Sequence, residues 1–186
     1  EADGALEPVT LNEVAHSIFY APQYAAIELG YFKDEGIALT LVNGAGADKV
    51  MTSLISGDAD IGFMGSEASI YVYQEGSADY AVNFAQLTQR AGNFLVGRSA
   101  EPDFSWQDLK GKKVLGGRAG GMPEMVFEYI LKKNGIDPKN DLTIDQSINF
   151  GLTAAAFTSN DADYTVEFEP FATTLETEGN GTVVAR

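Results

Sequence analysis

Residues 38–63, ALTLVNGAGADKVMTSLISGDADIGF, read in order as strand, glycine-rich turn, helix, tight turn and strand. ALTLV at 38–42 is a short apolar run. Val50, Met51, Leu54 and Ile55 then recur at helical spacing across 47–56, and DIGF at 60–63 is a second, shorter buried run. A helix between two such strands predicts a crossover joining parallel neighbours. The pattern extends in both directions. PVTLNEV (8–14) predicts a strand, and 20–31 predicts a helix with Tyr20, Tyr24, Ile27 and Tyr31 on one face. On the other side, a helix from about Ser66 to Gln74 and a strand YAVNFAQL (80–87) follow.

The second half repeats this order. KKVLGG (112–117), LTIDQ (142–146), DYTVEF (163–168) and TVVA (182–185) predict strands. Helices are expected at 122–134 and 150–158, the first with Met122, Met125, Val126, Tyr129 and Ile130 inward and ending on Lys132-Lys133-Asn134-Gly135. At an offset of 103, Leu39-Thr40 falls on Leu142-Thr143, Ser56 on Ser159, and Asp58-Ala59-Asp60 on Asp161-Ala162-Asp163. Two βαβαβ units imply an α/β protein of two lobes, 1–90 and 91–186, hinged near Thr88–Asn93, each a mainly parallel sheet flanked by helices. Ligands in such sheets bind outside the carboxyl ends of the strands. That rule selects HSIFYAP (16–22), NGAGAD (43–48), MGSEAS (64–69), GRAGGMP (117–123), SINFGL (147–152) and EFEPF (167–171) as the walls of one inter-lobe cleft.

Composition narrows the chemistry. With 45% hydrophobic and 21% charged residues in 186, the chain can bury a core, so general disorder is excluded. Its net charge of −15 repels phosphate backbones and argues against nucleic-acid or anionic-membrane partners. There is no cysteine and one histidine, which excludes thiol nucleophiles, iron–sulfur clusters and Cys/His zinc sites. No apolar run approaches the ~18 residues of a membrane span. The opening EADGALEP has neither a basic nor an apolar leader region, as expected of a mature exported chain whose signal has been removed.

Within the loops, NGAGADKV reads GxGxxK and lacks the third glycine of a dinucleotide fingerprint. Gly46 is instead expected to offer backbone N–H groups to a ligand at a helix start, with Arg118, Gly120, Gly121 and Met122 forming a second such loop. For each loop a plain tight turn is the alternative. His16 reads as a hydrogen-bonding cleft residue or a packed structural histidine, and no GxSxG elbow exists to make it part of a triad. Ser17, Phe19 and Tyr20 join it, the aromatics able to stack on a flat ligand, whereas Tyr24 sits on the core face with Ile27. Met64, Gly65, Ser66 and Glu67 line the third loop. Glu67, Glu167 and Glu169 at strand ends are either solvated or acceptors for ligand N–H groups. No catalytic residue, metal or cofactor is expected.

The run HSIFYAPQYAAIELGYFKDEGIALTLVNGAGADKVMTSLISGDADIGFMGSEASI resembles the first lobe of solute-binding proteins of ABC importers. AAIELGYFKDEGI is its most specific part, and WQDLKGKKVLGG and DADYTVEFEPF extend the likeness to the second half. The branch is that of the nitrate, taurine, aliphatic-sulfonate and thiamine-pyrimidine-precursor binders. The resemblance implies the type II periplasmic binding fold, closing by hinge motion. It further implies capture of a small molecule for a membrane permease, at an extracytoplasmic location, periplasmic or lipid-anchored. Carboxylates and aromatics with one nearby cation, Arg118, favour a nitrogenous heterocycle such as a thiamine pyrimidine precursor over sulfonate, taurine or nitrate. In that family the chain returns to lobe one after a strand like GTVVA (181–185), so the resemblance implies either that these residues are a fragment of a longer chain or that a dimer partner or complementing chain completes lobe one. Two rivals are a ligand-sensing module of a regulator, for which residues 1–8 leave no helix-turn-helix, and a pyrimidine-synthase-like enzyme, against which the lack of cysteine argues.

Overall fold

The computed structural model describes residues 4–90 and 92–186, so the first three residues of the expected leader and position 91 of the expected hinge lie outside the described residues. The chain divides into two compact units, 1–89 and 90–186.

The first unit is a three-stranded parallel sheet with helices between its strands. Its elements run β1 (Glu7–Glu13), a 3-10 turn (Ile18–Tyr20), α1 (Ala21–Glu28), α2 (Tyr31–Asp34), β2 (Ile37–Asn43), α3 (Ala47–Ser56), β3 (Ile61–Phe63) and α4 (Glu67–Gln74). The order is β2-β1-β3, with Leu11 facing both Leu41 and Ile61 in register. The helix expected over 20–31 is broken into three pieces. Gly30 adopts φ +81, a left-handed conformation that ends α1 and restarts the chain as α2. Val50 and Met51 of α3 are buried, as is Leu11 of β1, and Gly57 (φ +82) closes that helix.

The second unit carries the larger core. Its elements are β4 (Phe94–Gly97), a 3-10 turn (Trp106–Leu109), β5 (Lys113–Leu115), α5 (Met122–Lys133), β6 (Thr143–Asp145), α6 (Thr153–Ser159), β7 (Tyr164–Glu167), α7 (Phe171–Thr177) and β8 (Thr182–Ala185). The sheet order is β6-β5-β7-β4-β8, in which β5 is parallel to β6 and β7, and β4 runs antiparallel to β7 and β8. Adjacent strand residues point to opposite faces. Val114 therefore packs with Leu109, Phe127, Leu131 and Ile136 on one side, while Leu115 packs with Val96, Phe157, Ala162 and Leu175 on the other. Burial of each such large apolar side chain contributes about 1.5–3 kcal/mol.

The offset of 103 holds in three dimensions. It carries β1, α1, β2, α3, β3 and α4 onto β5, α5, β6, α6, β7 and α7, each pair overlapping, and the order β2-β1-β3 recurs as β6-β5-β7. The expected strand at 80–87 is not formed. That segment has no strand partner among the described residues, and Val82 and Phe84 stand 74% and 77% exposed. An extended, alternating segment becomes a strand only against a sheet edge; here Tyr80 packs edge-on against Tyr73 of α4 at 5.3 Å instead. Conversely β4 and α7 form where only connecting chain was expected, and α6 starts at Thr153 rather than at 150.

Candidate functional site

In each unit the three parallel strands of the repeat end on the same side of their own sheet, so their following loops gather there. In the first unit the gathering point is Glu13, the last residue of β1. It is fully buried, and three donors converge on its carboxylate. His16 Nδ1 reaches Oε1 at 2.9 Å, while Gln23 Nε2 and the Tyr24 hydroxyl donate to Oε2 at 3.0 and 2.8 Å. The Ser17 N–H donates to the Tyr24 oxygen at 3.0 Å, and Ser17 Oγ accepts from Phe19 N–H, capping the 3-10 turn. Tyr24 thus belongs to the polar network rather than to the apolar core. Burial, and then the carboxylate to which it donates, push its hydroxyl up to about 12, against the pull of the Ser17 N–H.

The His16 ring lies over Tyr24 with centroids 4.4 Å apart, its side chain 67% exposed. Tyr20 packs edge-on against Phe63 at 4.7 Å and beside Phe19 at 5.7 Å. Burial raises the Tyr20 hydroxyl to about 12, helped by Tyr24 and the charges of Glu13 and Glu67. Glu67 is buried, and its carboxylate folds back over Gly65, where a Cβ would stand. Glycine at 65 is what admits that carboxylate. His16, Ser17, Phe19, Tyr20, Gly65 and Glu67 therefore share one neighbourhood at the end of this sheet. Gly46 is buried as the N-cap of α3, Met64 is half-buried with its methyl over Gly62, and Ser66 is an exposed N-cap of α4; no described side-chain hydrogen bond ties these three to the Glu13 network.

In the second unit Glu167 ends β7 and is almost fully buried. Thr165 and Thr153 hydroxyls donate to its two oxygens at 2.7 and 3.0 Å. Burial pushes its carboxyl up to about 7 despite those donors. The loop 117–121 is held by a second buried acid, Glu124 in the first turn of α5, which accepts from the Gly120 N–H and the Gln146 amide. Burial and the adjacent Glu128 raise Glu124 to about 7, while Lys132, 2.6 Å away, holds Glu128 below the usual carboxylate range. Gly121 is the buried N-cap of α5, Met122 its half-buried first residue, and Arg118 Nη1 donates to the Ser147 carbonyl at 3.2 Å.

Glu13, Gln23, Glu124 and Thr153 escaped the sequence reading. Glu13 had a usable signal, an acid at the carboxyl end of an apolar strand; Glu124 looked like an ordinary first-turn helix charge. The 1–89 segment carries 13 of the 27 acidic residues and only two of the 12 Lys and Arg. Among the described residues no group of three or more potential ligands converges on a metal position, and no helix is long and apolar enough to cross a membrane.

Two parallel-rich units, each with its loops gathered beyond the strand ends, are the architecture of the periplasmic binding proteins. The chain belongs to the NMT1/THI5-like family, whose model matches residues 18–183. It is 49% identical over 180 residues to YtlA of Bacillus subtilis (strain 168), whose name assigns it provisionally as a binding protein. That match covers 97% of this chain and 54% of YtlA, so the chain spans about half the length of the curated relative it matches. Among solved structures, a Candida albicans protein described as having the generic periplasmic binding protein fold matches with TM-score 0.76 at 14% identity, over 96% of this chain and 59% of its own. The alkanesulfonate-binding protein SsuA of Xanthomonas axonopodis pv. citri, bound to MOPS, matches with TM-score 0.68 at 18% identity, over 100% of this chain and 62% of its own.

Proposed function

We propose that this chain is the ligand-capturing part of an extracytoplasmic solute-binding protein that feeds a small molecule to the permease of an ABC importer, without catalysing a reaction. The ligand is a neutral or cationic nitrogenous heterocycle, an aminopyrimidine of the thiamine-precursor kind, rather than a sulfonate, taurine or nitrate. One observation carries this choice: the strand-end loops are built around buried acids, Glu13, Glu67, Glu124 and Glu167, and the one Arg or Lys in them, Arg118, is engaged with the Ser147 carbonyl. An anion would meet carboxylates across those loops, whereas ligand N–H groups find acceptors there, with Phe19 and Tyr20 available to stack.

Titration calorimetry with an aminopyrimidine, taurine and nitrate tests the reading. Micromolar or tighter binding of the aminopyrimidine supports it, and tight binding of either anion sinks it. Tyr20→Ala, Ser66→Ala and Glu167→Ala should each weaken that binding while leaving the chain folded. Unchanged affinity in all three places the site elsewhere.

A further inference from the structure

We propose that Glu13 is the positioning residue of the first unit's ligand loop, holding His16 as its Nδ1–H tautomer so that Nε2 accepts a hydrogen bond from a ligand N–H. The inference rests on the solute-binding reading and names the chemistry the loop selects.

A carboxylate offers only lone pairs, so each group converging on Glu13 must donate. The Tyr24 oxygen already accepts from the Ser17 N–H, which directs its own hydrogen to Oε2. Gln23 fills the remaining approach to Oε2 with its amide hydrogens. His16 is left with Oε1, and at 2.9 Å the ring nitrogen that faces it carries the proton. The neutral side chain of free histidine prefers the opposite form, with hydrogen on Nε2, so the buried acid reverses the intrinsic preference of the ring.

Geometry fixes the orientation as well as the proton. Glu13 is the last residue of β1, paired with Asn43 and Phe63 on either side, and its side chain cannot move without breaking three hydrogen bonds. Tyr24 covers one face of the imidazole. The edge bearing Nε2 belongs to a side chain 67% exposed, with no partner for that nitrogen among the described residues. An exposed acceptor held rigidly from below recognises an amine or amide N–H and offers nothing to a sulfonate or nitrate oxygen.

His16 is the only histidine in the chain, so its ring gives one uncrowded set of signals in a long-range proton–nitrogen correlation spectrum. In ligand-free protein at pH 8 the expected pattern is protonated Nδ1 and bare Nε2. An Nε2–H tautomer, an imidazolium, or a fast mixture of the two neutral forms overturns the proposal. Glu13→Gln keeps the shape but places an amide hydrogen among donors; the ring should switch toward Nε2–H, and aminopyrimidine affinity should fall by about tenfold. Tyr24→Phe removes a different donor from the same carboxylate and should leave the tautomer unchanged; a switch in that variant too would mean general loosening rather than positioning by Glu13. Because the tautomer is read without ligand, the two ideas fail separately. An Nδ1–H ring in a protein that ignores aminopyrimidines refutes the ligand reading and leaves the role of Glu13 standing.

Discussion

Replacing Glu167 by glutamine should make the protein more stable at pH 8 and nearly unchanged in stability at pH 4. The acid moves from 4.5 in an unfolded chain to about 7 in the fold because burial disfavours its charge. Between those two values the folded state holds a proton that the unfolded state has lost, so stability falls as pH rises through that window. The displacement is worth about 3 kcal/mol, complete once pH exceeds 7. Glutamine keeps the shape and is uncharged at every pH, and the Thr153 and Thr165 hydroxyls can turn to accept from its amide as readily as they donate to the acid. Glu124 titrates in the same direction, so wild type alone would mix two groups, while the difference between variant and wild type isolates Glu167. Urea unfolding at pH 4, 5, 6, 7 and 8 measures it. Trp106, the one tryptophan, packs against the core of the same unit and reports by fluorescence. The variant's advantage should grow by about 3 kcal/mol across the series. A difference that stays constant with pH, or a variant less stable than wild type at pH 8, refutes the reasoning.

Two further substitutions test the packing. Phe157→Ala deletes a fully buried ring that also supports the Arg98 guanidinium 3.8 Å above it, and should cost about 3–5 kcal/mol in denaturant unfolding; a loss below about 1 kcal/mol would mean the core around α6 is misassigned. Gly116→Ala directs a methyl onto the Ile144 side chain at the end of β5 and should cost about 1–3 kcal/mol, again by denaturant unfolding, whereas a neutral result would show that β5 and β6 are not packed in this register.

The parts of the fold that could be read from residues are those with a strong local period. Val50, Met51, Leu54 and Ile55 announce α3, ALTLV announces β2, and the recurrence of Asp-Ala-Asp 103 residues later marks β7 as the counterpart of β3. The strand read into 80–87 shows the limit of that method. YAVNFAQL alternates as a strand should, yet FLVG at 94–97 is the segment that enters a sheet, because Phe94–Gly97 has β7 and β8 to pair with on its two edges. Pairing is a property of the edge as much as of the segment. The same holds for the reversed direction of β4, which no periodicity reveals.

For the candidate site, local reading placed the strand-end loops but not what organises them. That His16, Tyr20, Glu67, Arg118 and Glu167 lie at strand ends followed from the strand–loop–helix order alone, since parallel strands put all their carboxyl ends on one side. That Glu13 gathers residues three, ten and eleven positions along the chain, and that Glu167 is met by Thr153 fourteen residues earlier, depended on folding. The sequence by itself determined two parallel-rich α/β units, an acidic chain without thiol chemistry, and the loops that follow the parallel strands. The tertiary structure alone decided which carboxylates are buried and which donors reach them. The reason is physical: burial and hydrogen bonding are set by the elements that pack over a residue, and those come from distant positions in the chain.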